Sequence, residues 1–531
     1  MLPLIACVQP PIIGEWPDET TPVNVVTDGV VTCADPAARA DAPFVAEAGG
    51  PDWQAQATGS FEAPAPWGLA VADFDADGLA DVFLPQTGQD ELYFGAGGWT
   101  FAAGELPAED APAIAASVAD ADGDGQLDVF VGNHGVANAL LLNDGGTFTP
   151  AGGGFETYAW ATHHGAWGDA DGDADLDLFV GNFHAAEQHP EAADGVYLPD
   201  HNELWLNTGD GAFEDVSDRL DGMAARGWTN AASWADLDDD ADLDLFVINE
   251  KPDEGYTTVA RLNDGAGYFA DDGGALGLAV AIEGMGVGVG DLNGDLRPDF
   301  LVSGWSQNAM LESADDGAWY DSARARGLVA VDGGRFVAWG AELADLDDDG
   351  DLDALVAYGA ELDYTNGGVA PSEEPNPADQ PDAVFLQGED GTFTQVAEAW
   401  GVAEAGVRRG FVLADLDRDG WLDFVTRNLW GGAKLWRARC GEAGWIGVRL
   451  AQPGPNRFAV GARVEVEAGG VTRVRWISAG STNVASGGPP EAHVGLGDVD
   501  AVDVIRVIWP DGARSEVRDL DARQWVTLVR E

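Results

Sequence analysis

The sequence predicts an all-β protein, a seven-bladed β-propeller followed by a small antiparallel β domain. Three observations predict it. An acidic pattern, Asp-x-Asp-x-Asp-Gly-x-x-Asp with an apolar run behind it, recurs seven times, beginning at Asp73, Asp120, Asp169, Asp236, Asp291, Asp345 and Asp415. Successive copies lie 47, 49, 67, 55, 54 and 70 residues apart, a period that suits a blade and is too long for a β-solenoid coil. After Cys440 the pattern stops and arginines become frequent, at Arg449, Arg457, Arg463, Arg473 and Arg475, which marks a second domain.

In chain order, residues 1–50 are rich in Pro, Thr, Asp and Ala without periodicity and read as a surface tether. Residues 51–440 carry the repeats. Each has a small-residue strand, the acidic loop, an apolar strand such as Asp128-Val-Phe-Val, then a third strand ending in a turn such as Asn143-Asp-Gly or Gly209-Asp-Gly. A single such sheet cannot bury both faces alone, so radial packing follows. Residues 441–531 alternate, as in Val464-Glu-Val-Glu and Val471-Thr-Arg-Val-Arg-Trp, and read as antiparallel β.

The chain of 531 residues carries 93 acidic and 26 basic groups, net −67. That field repels nucleic acid and anionic membranes and favours multivalent cations. Hydrophobic residues make up 45%, with 20 Trp and 21 Phe, enough for a packed core. No apolar run is long enough to span a membrane. Three cysteines lack metal-binding spacing. Cys33 and Cys440 flank the repeats and are expected to pair if the ring closes near its ends. That would leave Cys7, in a Leu4-Ile-Ala-Cys stretch that resembles a bacterial lipobox, for a lipid anchor.

The acidic loops are read as Ca²⁺ sites, up to seven in number. Carboxylates at positions one, three, five and nine can converge while position seven offers a carbonyl, an all-oxygen shell for a hard cation. The predicted ligands are Asp73, Asp75, Asp77 and Asp81; Asp120, Asp122, Asp124 and Asp128; Asp169, Asp171, Asp173 and Asp177; and Asp236, Asp238, Asp240 and Asp244. They continue with Asp291, Asn293, Asp295 and Asp299; Asp345, Asp347, Asp349 and Asp353; and Asp415, Asp417, Asp419 and Asp423. Seven copies at matched offsets weigh against a mere solvated turn. Position six is Gly in the loops at 73, 120, 345 and 415 but Ala174, Ala241 and Leu296 elsewhere, so those three loops are expected to bind more weakly, the Asp291 loop most weakly.

These loops resemble the FG-GAP (VCBS-type) repeats of integrin α-subunit propellers over 59–439. Residues 456–464 (NRFAVGARV), 493–497 (HVGLG) and 507–512 (VIWPDG) are similar to an ASPIC/UnbV domain. The pairing is similar to the cartilage acidic protein family. It implies an extracellular or cell-surface, calcium-binding protein for adhesion, with a protein, matrix or carbohydrate ligand.

In integrin-like propellers the calcium loops lie on the lower face. The resemblance therefore sends the two long insertions, 184–202 and 360–382, to the upper face, where function is sought. Six of the seven histidines fall between 134 and 201. His163 and His164 precede the third loop, and His164 replaces a residue that is Gly68, Ala115, Ala231, Gly286, Gly340 or Gly410 in the other repeats. With His134 and His184 it suggests a transition-metal site at the upper mouth, the basis of a metalloenzyme alternative. Arg409 and Arg427, with Arg408, read as a basic patch there, and Trp67 and Trp339 as ligand-stacking candidates. No nucleophile elbow, Walker loop or dinucleotide fingerprint supports catalysis. Adhesion or ligand binding is the leading reading.

Overall fold

This computed structural model describes residues 20–41, 43–46, 66–108, 111–152, 155, 161–183, 200–209, 211–221, 226–271, 273–305, 307–328, 336–359, 380–429, 432–480 and 483–531. Cys7, His184 and most of both long insertions lie outside them.

The apolar run behind each loop forms a strand buried along its length, as in Asp128–Asn133, Asp177–Asn182 and Asp244–Asn249. Such strands do not alternate because both faces of their sheet meet another sheet. Among the described residues, seven antiparallel sheets repeat one plan. The strand before the loop pairs with the strand after it in a constant register that sets the last residue of the first strand opposite the ninth loop residue. The pairs are Ala72 with Asp81, Ala119 with Asp128, Gly168 with Asp177, Ala235 with Asp244, Gly290 with Asp299, Ala344 with Asp353 and Ala414 with Asp423. Two further strands complete five of the sheets, and the second and third each carry one strand more.

Each sheet shares a core with the next. Phe83 packs with Val129, Phe130 with Leu178, Phe179 with Leu245, Phe246 with Phe300, Leu301 with Ala354, Leu355 with Phe424 and Val425 with Val82, so the series returns to its start. The ring closes with a borrowed strand. Phe44–Ala46 is the outermost strand of the seventh sheet, paired antiparallel with Gly432–Ala438. Cys33 and Cys440 are joined by a disulfide, with their Cα atoms 5.6 Å apart.

The tether reading of residues 1–50 is therefore corrected over its described part. Phe44 is buried in the seam between the sixth and seventh sheets, and Arg39 lies over the Trp421 ring at 3.8 Å. Val23–Thr27 joins the edge of a C-terminal sheet against Gln524–Arg530. Apolar content in Phe44-Val-Ala and Val23-Asn-Val-Val was the overlooked signal.

The C-terminal domain has two four-stranded sheets around one core that includes Ile446, Val464, Val494, Ile505 and Leu528. It is not wholly antiparallel. Gly444–Ala451 runs parallel to Gln524–Arg530, while its other pairings are antiparallel.

Candidate functional site

Each acidic loop is held by its own carboxylates. The ninth residue is a clamp as well as a candidate ligand. One oxygen of Asp128 accepts the Ala121 amide at 2.8 Å and the other the Asn143 amide at 2.8 Å, and Asp81, Asp177, Asp244, Asp299, Asp353 and Asp423 repeat the arrangement. It ties the loop to the third strand. The fifth residue accepts the amide two residues on, as Asp77 does from Leu79 and Asp419 from Trp421. Asn293 accepts from Asp295 and donates to the Ser313 carbonyl.

Positions one, three and nine converge. In the sets Asp73, Asp75 and Asp81; Asp120, Asp122 and Asp128; Asp169, Asp171 and Asp177; Asp236, Asp238 and Asp244; and Asp345, Asp347 and Asp353, one oxygen from each residue lies within 4.8 Å of the others. Buried oxygens of Asp120, Asp171, Asp345 and Asp347 have no hydrogen-bond partner, which is costly unless something else satisfies them. Burial, reinforced by the neighbouring carboxylates, pushes Asp120 up to about 7, Asp128 to about 8 and Asp415 to about 8. Orphaned, mutually repelling oxygens at one point fit a hard cation. At position six the backbone has positive φ whatever the residue: 93° at Gly125 but also 75° at Ala174, 77° at Ala241 and 67° at Leu296. Those three side chains sit in the left-handed region that favours glycine.

The C-terminal domain lies across this loop face. Arg457 donates to the Gly123 carbonyl, the Asn456 amide to Ala174, Arg473 to Gly350 and the Gly497 amide to Asp348. The His493 Nε2–H donates to the Gly420 carbonyl at 2.7 Å, and Trp525 Nε1–H reaches the Asp415 carboxylate at 2.8 Å. Arg418 in the seventh loop pairs with Glu491 at 3.0 Å. Asp345 and Asp415 are thereby reduced to 2% and 1% exposure. The arginines that mark the composition change at Cys440 include those that meet the acidic loops.

The same domain fills the axis of the ring. Ala479–Gly480 pairs with Trp167 and Ala166 of the third sheet. Further on, the Ala485 carbonyl accepts the Ala116 amide, and Gly487 exchanges bonds with Val71 and Leu69. Val484 and Ala485 pack among Trp67, Ile114, Met285 and Trp339 in a central cluster. This hub explains three of the small residues five positions before the loops, Gly68, Gly340 and Gly410. A Cβ on Gly68 would lie 1.7 Å from the Ala485 carbonyl oxygen, and one on Gly410 would lie 2.1 Å from Ser486 Oγ.

The upper-mouth residues take different positions from those expected. His164 does not stand in open space: its Nε2–H donates to the Ala232 carbonyl at 3.0 Å, and burial pushes it down to about 4. His163 is also buried, bonded through Nδ1 to Asn230 Oδ1 at 2.9 Å and stacked on Phe183 with centroids 4.7 Å apart. The two rings thus have separate partners, and His134 forms a bridge with Ala161. The exposed basic patch is also corrected. Arg408, Arg409 and Arg427 are buried, at 2%, 2% and 0% exposure. Arg408 pairs with Asp382 at 3.1 Å, Arg409 lies 3.6 Å over the Trp339 ring, and Arg427 donates to the Pro85 carbonyl and Gln86. Trp67 and Trp339 meet edge to face at 5.5 Å within the hub cluster. Alternation hid this burial, because an arginine on an inner strand reads as solvent-facing when its stacking partner lies far off in sequence.

One residue was passed over. Three positions before each loop the chain has Ala70, Ser117, Ala166, Ser233, Gly288 and Val412, but Glu342 in the sixth repeat. A carboxylate in a column of small or apolar residues was the available signal.

Comparison with known proteins bears on the fold. The FG-GAP-like repeat model matches residues 73–131, 120–180 and 236–302, and the ASPIC and UnbV model matches 452–531. No curated protein sequence matches the chain. Among solved structures, an Agrocybe aegerita lectin described as recognising non-reducing terminal N-acetylglucosamine is 17% identical, with 72% of this chain and 98% of that one covered at a TM-score of 0.42. YCF48, solved bound to D1 peptide, is 10% identical over 75% of this chain and 97% of that one, TM-score 0.40. Saccharomyces cerevisiae Sqt1 is 11% identical over 71% and 96%, TM-score 0.40. With sheets that close into a ring around a shared axis, the chain is a β-propeller with FG-GAP-like repeats, joined to an ASPIC and UnbV domain.

Proposed function

We propose that this protein is an extracellular, seven-bladed, calcium-stabilised propeller that binds a protein, matrix or carbohydrate ligand through the face opposite its acidic loops. The observation that carries the reading is the C-terminal domain lying across the loop face and filling the hub, which leaves the opposite face as the broad surface for a partner. Position one, three and nine carboxylates of each loop would hold Ca²⁺, with Asn293 in place of one Asp in the fifth. The ion would neutralise carboxylates that are otherwise buried together, and so stabilise the turn between the first two strands. The loops are thus scaffold, and the opposite face is where recognition takes place. The Cys33–Cys440 disulfide supports an oxidising compartment. Among the described residues no helix is long and apolar enough to cross a membrane.

The test is binding of calcium-loaded protein to matrix-protein and glycan arrays, with calorimetric calcium titration alongside. Saturable binding that is blocked by an antibody to the open face, but unaffected by one against the C-terminal domain, is the expected result. Failure to bind calcium at all would overturn the reading at its base.

A further inference from the structure

The hub segment bonds to the first, second, third and seventh sheets, through Leu69, Val71, Ala116, Trp167 and Phe411. Beside it, between the inner strands of the fourth to seventh sheets and the C-terminal domain, lies a chamber of about 180 Å³. A larger cleft of about 580 Å³ opens beside it between the two domains, and the two spaces share Ser233, Trp234, Trp476 and Ser478.

Glu342 lines the chamber. No described residue hydrogen-bonds or ion-pairs with its carboxyl, and burial alone pushes the group up to about 8. The other acid at the wall, Glu491, is already held by Arg418 and Arg449. Arg475 also lines the chamber, but its guanidinium donates to the His493 carbonyl at 3.0 Å and the Val474 carbonyl at 2.9 Å and forms no ion pair with Glu342. Glu342 is half-buried, and a carboxylate withdrawn from water without a counter-charge is costly, its natural complement being a cation.

The aromatic walls point the same way. Elsewhere the molecule lays its own cations over tryptophans: Arg39 over Trp421, Arg409 over Trp339, Arg297 over Trp319, Arg418 and Arg449 over Trp525, Arg530 over Trp509 and Lys434 over Trp436. Trp234 and Trp476, where chamber meets cleft, carry none among the described residues, and both keep partial exposure. An indole face without a cation, beside a carboxyl without one, is the arrangement that holds organic ammonium ions.

We infer that the chamber is a binding site for a small organic ammonium group, with Glu342 as its counter-ion and Trp234 and Trp476 as its aromatic wall. The group enters through the cleft between the domains. This site is separate from the face proposed above for adhesion, so either reading can fail without the other. Ser233 and Ser478 at the shared rim supply hydroxyls for a polar tail.

The test uses the full chain loaded with calcium and titrated with choline chloride, followed by calorimetry and tryptophan fluorescence. Its neutral isostere, with carbon in place of the quaternary nitrogen, is titrated in parallel, together with glucose. Saturable choline binding with a fluorescence change is expected, at least about tenfold tighter than the isostere. Glu342→Gln should weaken choline binding by about tenfold or more. It should also raise the thermal midpoint, because an uncompensated carboxyl is replaced by a neutral group of the same shape, so lost binding is not lost folding. Trp476→Leu, at a partly exposed position, should abolish the fluorescence change. Equal binding of choline and its isostere, tighter binding of glucose, unchanged binding by Glu342→Gln, or no saturable binding overturns the inference. Choline binding that a lysine-containing peptide displaces would identify a protein side chain as the natural source of the ammonium group; displacement by free amines alone would identify a small molecule.

Discussion

The Trp525 indole donates its N–H to Asp415 Oδ2 at 2.8 Å, joining the last strand of the C-terminal domain to the first carboxylate of the seventh acidic loop. Arg418 and Arg449 flank the same ring at 5.0 and 4.7 Å. Trp525→Phe keeps the stacking and removes the bond, leaving a buried Asp415 oxygen short of a donor. A loss of about 2 kcal/mol is expected in denaturant unfolding, with faster hydrogen exchange in Gly444–Ala451. An unchanged unfolding midpoint would show that this contact contributes nothing to docking.

Stability should depend on free calcium. Each occupied loop contributes about 1.4 kcal/mol for every tenfold rise in free Ca²⁺ above its Kd. Chelation should lower the thermal midpoint, and the loops at Asp345 and Asp415, covered by the C-terminal domain, should release their ions last. Stopped-flow chelation followed by a calcium dye would give a slow phase, which should become fast in Trp525→Phe.

The positive φ at Ala174, Ala241 and Leu296 is strain that glycine removes. Ala241→Gly and Leu296→Gly should each stabilise the loaded protein by about 1 kcal/mol and tighten calcium binding at their own loops. Differential scanning calorimetry with per-site titration checks both. A destabilised Ala241→Gly would mean that its methyl group matters more than its backbone angle.

The buried His164 gives a pH signature. Its folded value of about 4 lies below the ordinary 6.5, so it favours the fold while neutral. That contribution is complete above about pH 6.5 and is lost as pH falls through 4, a total of about 3 kcal/mol. His164→Gln retains a donor for the Ala232 carbonyl without titrating. The difference in unfolding free energy between variant and wild type should therefore shrink as pH drops from 7 to 4. A difference that stays constant would remove His164 as the cause.

The hub is tested by glycine. Gly68→Ala should destabilise by about 2 kcal/mol or more, since its Cβ would overlap the Ala485 carbonyl oxygen. Gly152→Ala, which meets nothing within 4 Å, is the control and should be close to neutral. Equal midpoints for the two would refute close packing at the axis.

The acidic loops and the strands behind them were legible because their information is local: nine residues specify a turn, its clustered carboxylates and the start of a buried strand. Pairing of Cys33 with Cys440 could be expected from their places at the two ends of the repeats. The C-terminal domain's position could not, because its contacts join residues hundreds apart, such as Arg457 with Gly123. Even so, Gly68, Gly340 and Gly410 in the column before the loops recorded its outline. His164, the one large residue of that column, was read with His134 and His184 as a metal ligand at the upper mouth. In the structure it is buried, with its Nε2 bonded to the Ala232 carbonyl. Arg409 and Arg427 misled for a related reason: a guanidinium reads as surface until its carbonyl and indole partners are known.

A ring with a separate axle has an order of construction. The strands that surround the axis are synthesised first, and the segment that occupies it, around Ala485, emerges near the end of translation. Until then Trp67, Ile114, Met285 and Trp339 border an apolar bore with nothing in it. A chain cut short after Cys440 would keep its disulfide and every acidic loop yet expose that bore, so an unfinished copy would carry its own label for quality control.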